Sequence, residues 1–170
     1  SYHQTSQSRV PRMRKLFEVR RSPIHGNGVF AVRDIAAGTE IIEYRGRVLT
    51  HAQANAMYGD TVGTGHTFLF TLNDDYVIDA NTNGNEARWI NHSCDPNVVA
   101  YRHEARDGNP RNERVLLEAL RDIRMGEELT YDYKITLEQR HTAALKKIWA
   151  CRCGAPWCTG TLLKDKRSRK

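Results

Sequence analysis

The 170-residue sequence predicts a mainly β protein with few short helices. Three observations lead there. From Leu16 onward, strand-length apolar segments recur between turn signals. Only two segments carry a helix-start signature. Nowhere do strands alternate with helices, which argues against a doubly wound nucleotide-binding sheet. The length suits one domain, since domains usually run to roughly 100–200 residues.

Taken in order, residues 1–15 have few apolar anchors and form an expected flexible, basic N-terminal segment. Strands are expected over 16–20, 28–32, 39–44, 66–72, 76–79, 98–102, 114–120 and 128–133, where β-branched, aromatic and leucine side chains concentrate. Asn73-Asp74-Asp75 reads as a hairpin turn, and Asp107-Gly108-Asn109-Pro110 as a longer one. The pattern Asp-Ile-x-x-Gly-x-Glu occurs at 34–40 and again at 122–128; each copy reads as a glycine turn delivering the chain into a strand, without implying duplication. Thr50 with Gln53 is a capping-box pair ahead of Ala54, Ala56, Met57 and Tyr58, so a short helix is expected there. Thr136 with Gln139 repeats the pattern before Leu137, His141, Ala144, Leu145 and Ile148, which predicts a connecting helix over 136–150.

Hydrophobic content of 39% with 27% charged residues is that of an ordinary globular chain. No apolar run approaches the roughly 20 residues that span a membrane, and no signal-type apolar core opens the chain. No membrane partner is therefore expected. The net charge of +6 sits largely at the ends, in Arg9, Arg12, Arg14, Lys15, Arg20 and Arg21 and in a 164–170 tail of Lys164, Lys166, Arg167, Arg169 and Lys170. Nucleic acid would be engaged only through those basic tails.

The run Asn91-His92-Ser93-Cys94-Asp95-Pro96-Asn97 is the most unusual stretch. Turn chemistry explains Asp95-Pro96-Asn97 but not a histidine and a thiol beside it. A polar loop with a buried cysteine is the plain alternative. Cys151, Cys153 and Cys158 are close enough in sequence to hold one tetrahedral Zn²⁺, which wants a fourth ligand, and Cys94 is the only thiol left. Closing that site would staple the C-terminal segment onto the 91–97 loop; the alternative is reduced structural cysteines. Tyr131 and Tyr133 fall on one face by strand alternation, either packing a core or lining a slot with Tyr44 and His92. Gly26 and Gly28 let a backbone approach a ligand or simply turn into a strand.

Together these stretches resemble the SET-domain protein lysine methyltransferases, most closely the trithorax-type branch. The resemblance covers about 16–163. It rests on Ser22-Pro23-Ile24-His25-Gly26-Asn27-Gly28-Val29-Phe30, Glu43-Tyr44-Arg45-Gly46, the stretch 79–97, the stretch 126–133 and the cysteines of 151–158. Arg88-Trp89-Ile90 stands where Arg-Phe-Ile is commoner. The resemblance implies a SET domain over 16–135, with several small sheets and a knot-like crossing in which the 91–97 segment lies against 131–133. It also implies a post-SET zinc element over 151–163, with no pre-SET region.

By position, the resemblance implies S-adenosylmethionine as methyl donor. His25, Gly26, Asn27 and Gly28 would contact its methionine end, Asn91 and His92 its adenine and amino group, and Arg152 and Leu162 would cover it. Phe68 stands at a further donor-binding position where trithorax-type members carry tyrosine. Tyr133 would be the central catalytic tyrosine, Tyr44 its partner across a lysine channel and Tyr131 the residue that limits product to monomethyl-lysine. One structural Zn²⁺ would be held by Cys94, Cys151, Cys153 and Cys158. The implied substrate is an extended, basic, lysine-containing segment of the histone type. The expected location is intracellular, at chromatin in a eukaryotic host or one the chain is delivered into, otherwise cytoplasmic. Two rival readings are a catalytically silent SET-like interaction module and a basic zinc module for nucleic acid. The intact tyrosines and Asn91-His92 weigh against the first. The lack of a basic stripe interleaved with stacking aromatics weighs against the second.

Overall fold

The computed structural model describes residues 15–59, 68–133, 150–151, 153–158 and 160–162. The expected helix over 136–150 apart from Ala150, residues 1–14, the 164–170 tail, Arg152 and the first two residues of the expected 66–72 strand therefore lie outside the described residues. The described chain is mostly β. Its strands are β1 (Phe17–Arg21), β2 (Asn27–Ala31), β3 (Glu40–Glu43), β4 (Arg47–Thr50), β5 (Leu69–Thr71), β6 (Tyr76–Asp79), β7 (Asn91–His92), β8 (Val98–His103), β9 (Arg114–Ala119) and β10 (Glu128–Tyr131). One helix, α1 (His51–Tyr58), lies between β4 and β5, and short 3₁₀ turns precede β7 and β9.

These strands form three small sheets, ordered β1-β2-β10-β7, β3-β9-β8 and β4-β6-β5. All pairings are antiparallel except β10 with β7, where Thr130 faces Asn91 and Tyr131 faces His92. The sheets close on a main core, beside which Leu49, Ala54 and Val77 form a second, small cluster. Ile90, Leu117, Ile123 and Leu129 are its most enclosed large side chains, each exposed by 1% or less.

The doubled Asp-Ile-x-x-Gly-x-Glu pattern does more than make two turns. The copies pair with each other about a local pseudo-two-fold. Ile35 and Ile123 exchange both backbone hydrogen bonds, at 2.7 and 2.8 Å. The Asp34 carboxylate accepts from the Met125 N–H, and Asp122 accepts from Ala37, each at 2.9 Å. Gly38 and Gly126 both adopt positive φ, 82° and 92°, which a side chain would resist. The relation extends into the strands, since β2 pairs with the strand after the second turn and β9 with the strand after the first. Each turn thus orients a strand belonging to the other half.

The α1 start forms as the capping box predicts. Thr50 Oγ1 accepts from the Gln53 N–H, and Gln53 Oε1 accepts from the Thr50 N–H. At its other end the Tyr58 hydroxyl donates to Asp79 Oδ2 at 2.7 Å. Asp79 is fully buried, and its other oxygen accepts from the backbone and side chain of Asn81. A buried carboxylate needs such a shell of donors.

Two strands were not visible in the sequence. β4 reads as a lead-in to the helix cap, and β7 is too short to carry periodicity. β10 ends at Tyr131 and not at 133, because its parallel partner β7 runs out at His92.

Candidate active site and metal centre

Asn91, His92, Ser93, Cys94 and Asn97 of the 91–97 run each have a separate task. Asn91 Nδ2 donates to the carbonyls of His25 and Asn27, both at 3.1 Å, and to Glu128 Oε2 at 2.9 Å. His92 Nδ1 accepts from the Tyr133 backbone N–H at 3.0 Å. The Ser93 hydroxyl accepts from the Asp95 N–H and closes the turn. Cys94 turns its sulfur toward the C-terminal cysteines. Asn97 continues the β10 ladder with its side chain, accepting from the Thr130 N–H and donating to the Glu128 carbonyl. Asn91, His92, Ser93 and Asn97 are all buried, so these bonds satisfy groups that would otherwise be stranded.

Glu128 was not singled out from the sequence, yet it joins three elements. Besides Asn91, its carboxylate accepts from the Ser22 hydroxyl at 2.7 and 2.8 Å. Gly28 lies against it, and a Cβ there would sit 2.5 Å from Glu128 Oε2. Glu128 therefore fixes the 22–28 loop against β7. Replacing it (Glu128→Ala) leaves the Ser22 hydroxyl hydrogen without its acceptor and takes one of three acceptors from Asn91, and the expected loss is about 2 kcal/mol, the scale of hydrogen bonds to a charged group. Urea unfolding with an unchanged slope checks this; a shift under a few tenths of a kcal/mol would remove Glu128 from that role.

Beyond β7 lies an aromatic wall. Tyr131 and Tyr133 ring centroids are 4.7 Å apart, Phe70 is 6.0 Å from Tyr131, and Tyr44 is 4.9 Å from Phe70. The two tyrosines share a face as the alternation predicted, although the strand has ended between them. These four rings line a cavity of about 660 Å³, with Arg88, Pro96 and Val98 among its other walls. Phe70 was not singled out from the sequence, though it alternates with Phe68. Phe68 packs edge-on to Trp89 at 5.2 Å, outside that wall.

The hydroxyls are fixed by the main chain. Tyr44 donates to the Phe68 carbonyl at 2.9 Å, and Tyr133 donates to the Ile90 carbonyl. Burial raises the pKa of Tyr44, Tyr131 and Tyr133, and in each case it is the largest cause. All three phenols stay protonated near neutrality. They can donate hydrogen bonds but cannot serve as bases. Burial likewise holds His92 below the usual imidazole range, against the opposing charge of Asp132.

Cys94, Cys151, Cys153 and Cys158 come together with their sulfurs all within 4.8 Å of one another. In a tetrahedral thiolate site with zinc–sulfur bonds of ~2.3 Å, sulfurs sit about 3.8 Å apart. Cys94 Sγ and Cys158 Sγ are 3.9 Å apart, so the set fits a single ion. Burial alone would raise Cys153, but backbone donors from Cys94 and Ala155 and the neighbouring thiols bring it down to about 6. Burial pushes Cys151 up. Trp157 Nε1 donates to the Cys94 carbonyl at 3.0 Å and holds the segment on the loop. Leu162 follows Thr161, which bridges to Ala150.

The structure thus brings His25, Gly26, Asn27 and Gly28 to Asn91, and Tyr44 to Tyr131 and Tyr133. His92 lies between the tyrosines and the cysteines. No helix among the described residues is long and apolar enough to cross a membrane.

The family profile described as SET domain matches residues 26–134. The histone-lysine N-methyltransferase set1 of Dictyostelium discoideum is 41% identical over 151 residues, covering 88% of this chain and 9% of that protein. The human histone-lysine N-methyltransferase 2B is 42% identical over 144 residues, 82% of this chain and 5% of that protein. Trithorax of Drosophila melanogaster is 38% identical over 147 residues, 81% of this chain and 3% of that protein. The chain therefore spans less than a tenth of these relatives. Among solved structures, KRYPTONITE in complex with mCHG DNA and SAH superposes with a TM-score of 0.70 at 34% identity, covering 86% of this chain and 28% of that one.

Proposed function

Since this chain belongs to the SET-domain family, we propose that it is an S-adenosylmethionine-dependent protein-lysine N-methyltransferase that acts at chromatin on a lysine in a basic histone-like tail. The observation that carries the reading is the aromatic wall. Tyr44, Tyr131, Tyr133 and Phe70 line one cavity of about 660 Å³, with a main-chain carbonyl beside the Tyr133 hydroxyl.

The acceptors around Asn91 support a place for the donor there. The carbonyls of His25 and Asn27 and the Glu128 carboxylate form an electronegative corner, which suits the ammonium of an amino-acid moiety. His92, Phe68, Arg152 and Leu162 complete the set assigned to the donor, and when bound it supplies an electrophilic methyl on a sulfonium. The chain's own residues do the rest. A lysine amine is neutral only about one time in a thousand at pH 7.4, and an apolar channel favours that form by desolvation. Tyr44 and Phe70 wall the channel with their rings. Tyr133 Oη and the Ile90 carbonyl are neighbouring oxygens that would hold the polarised methyl C–H and so orient it toward the amine. The cysteine cluster, as a post-SET element, would hold one structural Zn²⁺ and close the C-terminal segment over the 91–97 loop. It takes no part in the transfer.

Purified chain given methyl-labelled donor and core histones should label lysine alone. Absence of label in a sample that binds donor would refute the reading.

Tyr131 sets how many methyl groups are added. Its hydroxyl can anchor a water that fills the space a second methyl would need, so the unmutated chain should yield mainly monomethyl-lysine. Tyr131→Phe keeps the ring and removes the anchor. The expected result is a shift toward di- and trimethyl-lysine with the first transfer little changed, read by mass spectrometry after exhaustive reaction. An unchanged product ratio with altered stability would make Tyr131 a packing residue only.

A further inference from the structure

We propose that His92 is a positioning residue that links the cysteine cluster to Tyr133 through its two ring nitrogens, an inference that rests on the methyltransferase reading for its functional meaning. The geometry is at both ends of one ring. The Tyr133 backbone nitrogen can only donate, so the ring nitrogen 3.0 Å from it, Nδ1, carries a lone pair. Asp132 Oδ1 is 3.7 Å from the same nitrogen, beyond hydrogen-bond reach. In the neutral imidazole the proton then sits on Nε2. That nitrogen lies 3.5 Å from Cys94 Sγ, a normal separation for a donor to sulfur. The ring is only 6% exposed.

Each end of the ring has its own partner. β10 stops at Tyr131, so the Tyr133 amide lies past the ladder, and the His92 ring takes the place of a backbone partner. The same ring packs edge-on to the Tyr133 ring at 5.3 Å. At the other end, an N–H donor to a thiolate ligand fixes the sulfur's direction and steadies its charge. Outer partners of this kind are worth roughly 10–100-fold in metal affinity. Ordering of the cysteines and placement of Tyr133 are thereby coupled through one side chain, in a protein whose zinc lies outside the reaction.

The unmutated protein gives the first test. With zinc bound, the ¹⁵N spectrum of His92 must show a protonated Nε2 and an unprotonated Nδ1, and zinc removal by a chelator must shift the Tyr133 amide resonance. The opposite tautomer would overturn the proposal. Two substitutions then separate the ends. His92→Asn places a carbonyl oxygen near Nδ1 and withdraws the ring N–H from the sulfur; His92→Gln places an amide nitrogen near Nε2 and withdraws the acceptor from the Tyr133 amide. Chelator competition should show about 10–100-fold weaker zinc binding in His92→Asn, with Tyr133 amide exchange still slow. In His92→Gln zinc affinity should stay within a few fold while Tyr133 exchange accelerates. Equal losses in both variants, or none in either, would contradict the link. These readouts do not use methyl transfer, so an inactive wild type would refute the methyltransferase reading and leave the His92 link decided on its own terms.

Discussion

Tyr133→Phe is expected to lower the turnover number by about 10²–10³ while donor affinity changes little. That is the scale of losing one preorganised hydrogen-bonding group from a transition state, here the oxygen offered to the polarised methyl C–H. The structure makes the substitution clean. The ring is held by edge contact with His92, by the neighbouring Tyr131 ring and by its own backbone amide, none of which needs the hydroxyl. What disappears is the Oη that donates to the Ile90 carbonyl. Burial keeps this phenol protonated, so the loss cannot come from removing a base, and the pH dependence of turnover should keep its shape. Single-turnover kinetics with calorimetric donor titration separates the two parameters. Turnover near that of the wild type would take Tyr133 out of the central role.

Cys94→Ser should release or greatly weaken bound zinc and weaken donor binding with it. The four sulfurs come from two parts of the chain, which the Trp157 donation to the Cys94 carbonyl also joins. Binding of a structural zinc is folding free energy on the order of 10 kcal/mol in small peptides. Losing one ligand of four forfeits much of that for the C-terminal segment, while the three-sheet core retains its own packing. Metal analysis beside calorimetry reads both effects, with circular dichroism reporting that the β core persists. A folded wild-type sample holding no zinc would refute the clamp.

The chemistry was more legible in the sequence than the connections. Asn91, His92 and Cys94 stood out because no turn needs them, and Tyr131 with Tyr133 because a strand puts alternate residues on one face. The four thiols were readable as one site from cysteine arithmetic. The sequence was silent on Glu128, whose work depends on Ser22 lying 106 residues away. It was equally silent on the Ile90 carbonyl, since a main-chain oxygen leaves no residue-type signal. The doubled turn was visible as a pattern, but strand exchange between its copies is a property of packing. β7 was hidden for a similar reason: two polar residues become a strand only because β10 lies alongside.

Mass spectrometry of histone tails after incubation with zinc-loaded chain and isotopically labelled S-adenosylmethionine tests the central claim most directly. The account predicts labelled methyl on a lysine Nζ, one per side chain in most products, and its near disappearance in Tyr133→Phe. Abundant trimethyl-lysine from the unmutated chain would contradict the role given to Tyr131. No labelled lysine, with donor and zinc both bound, would contradict the account as a whole.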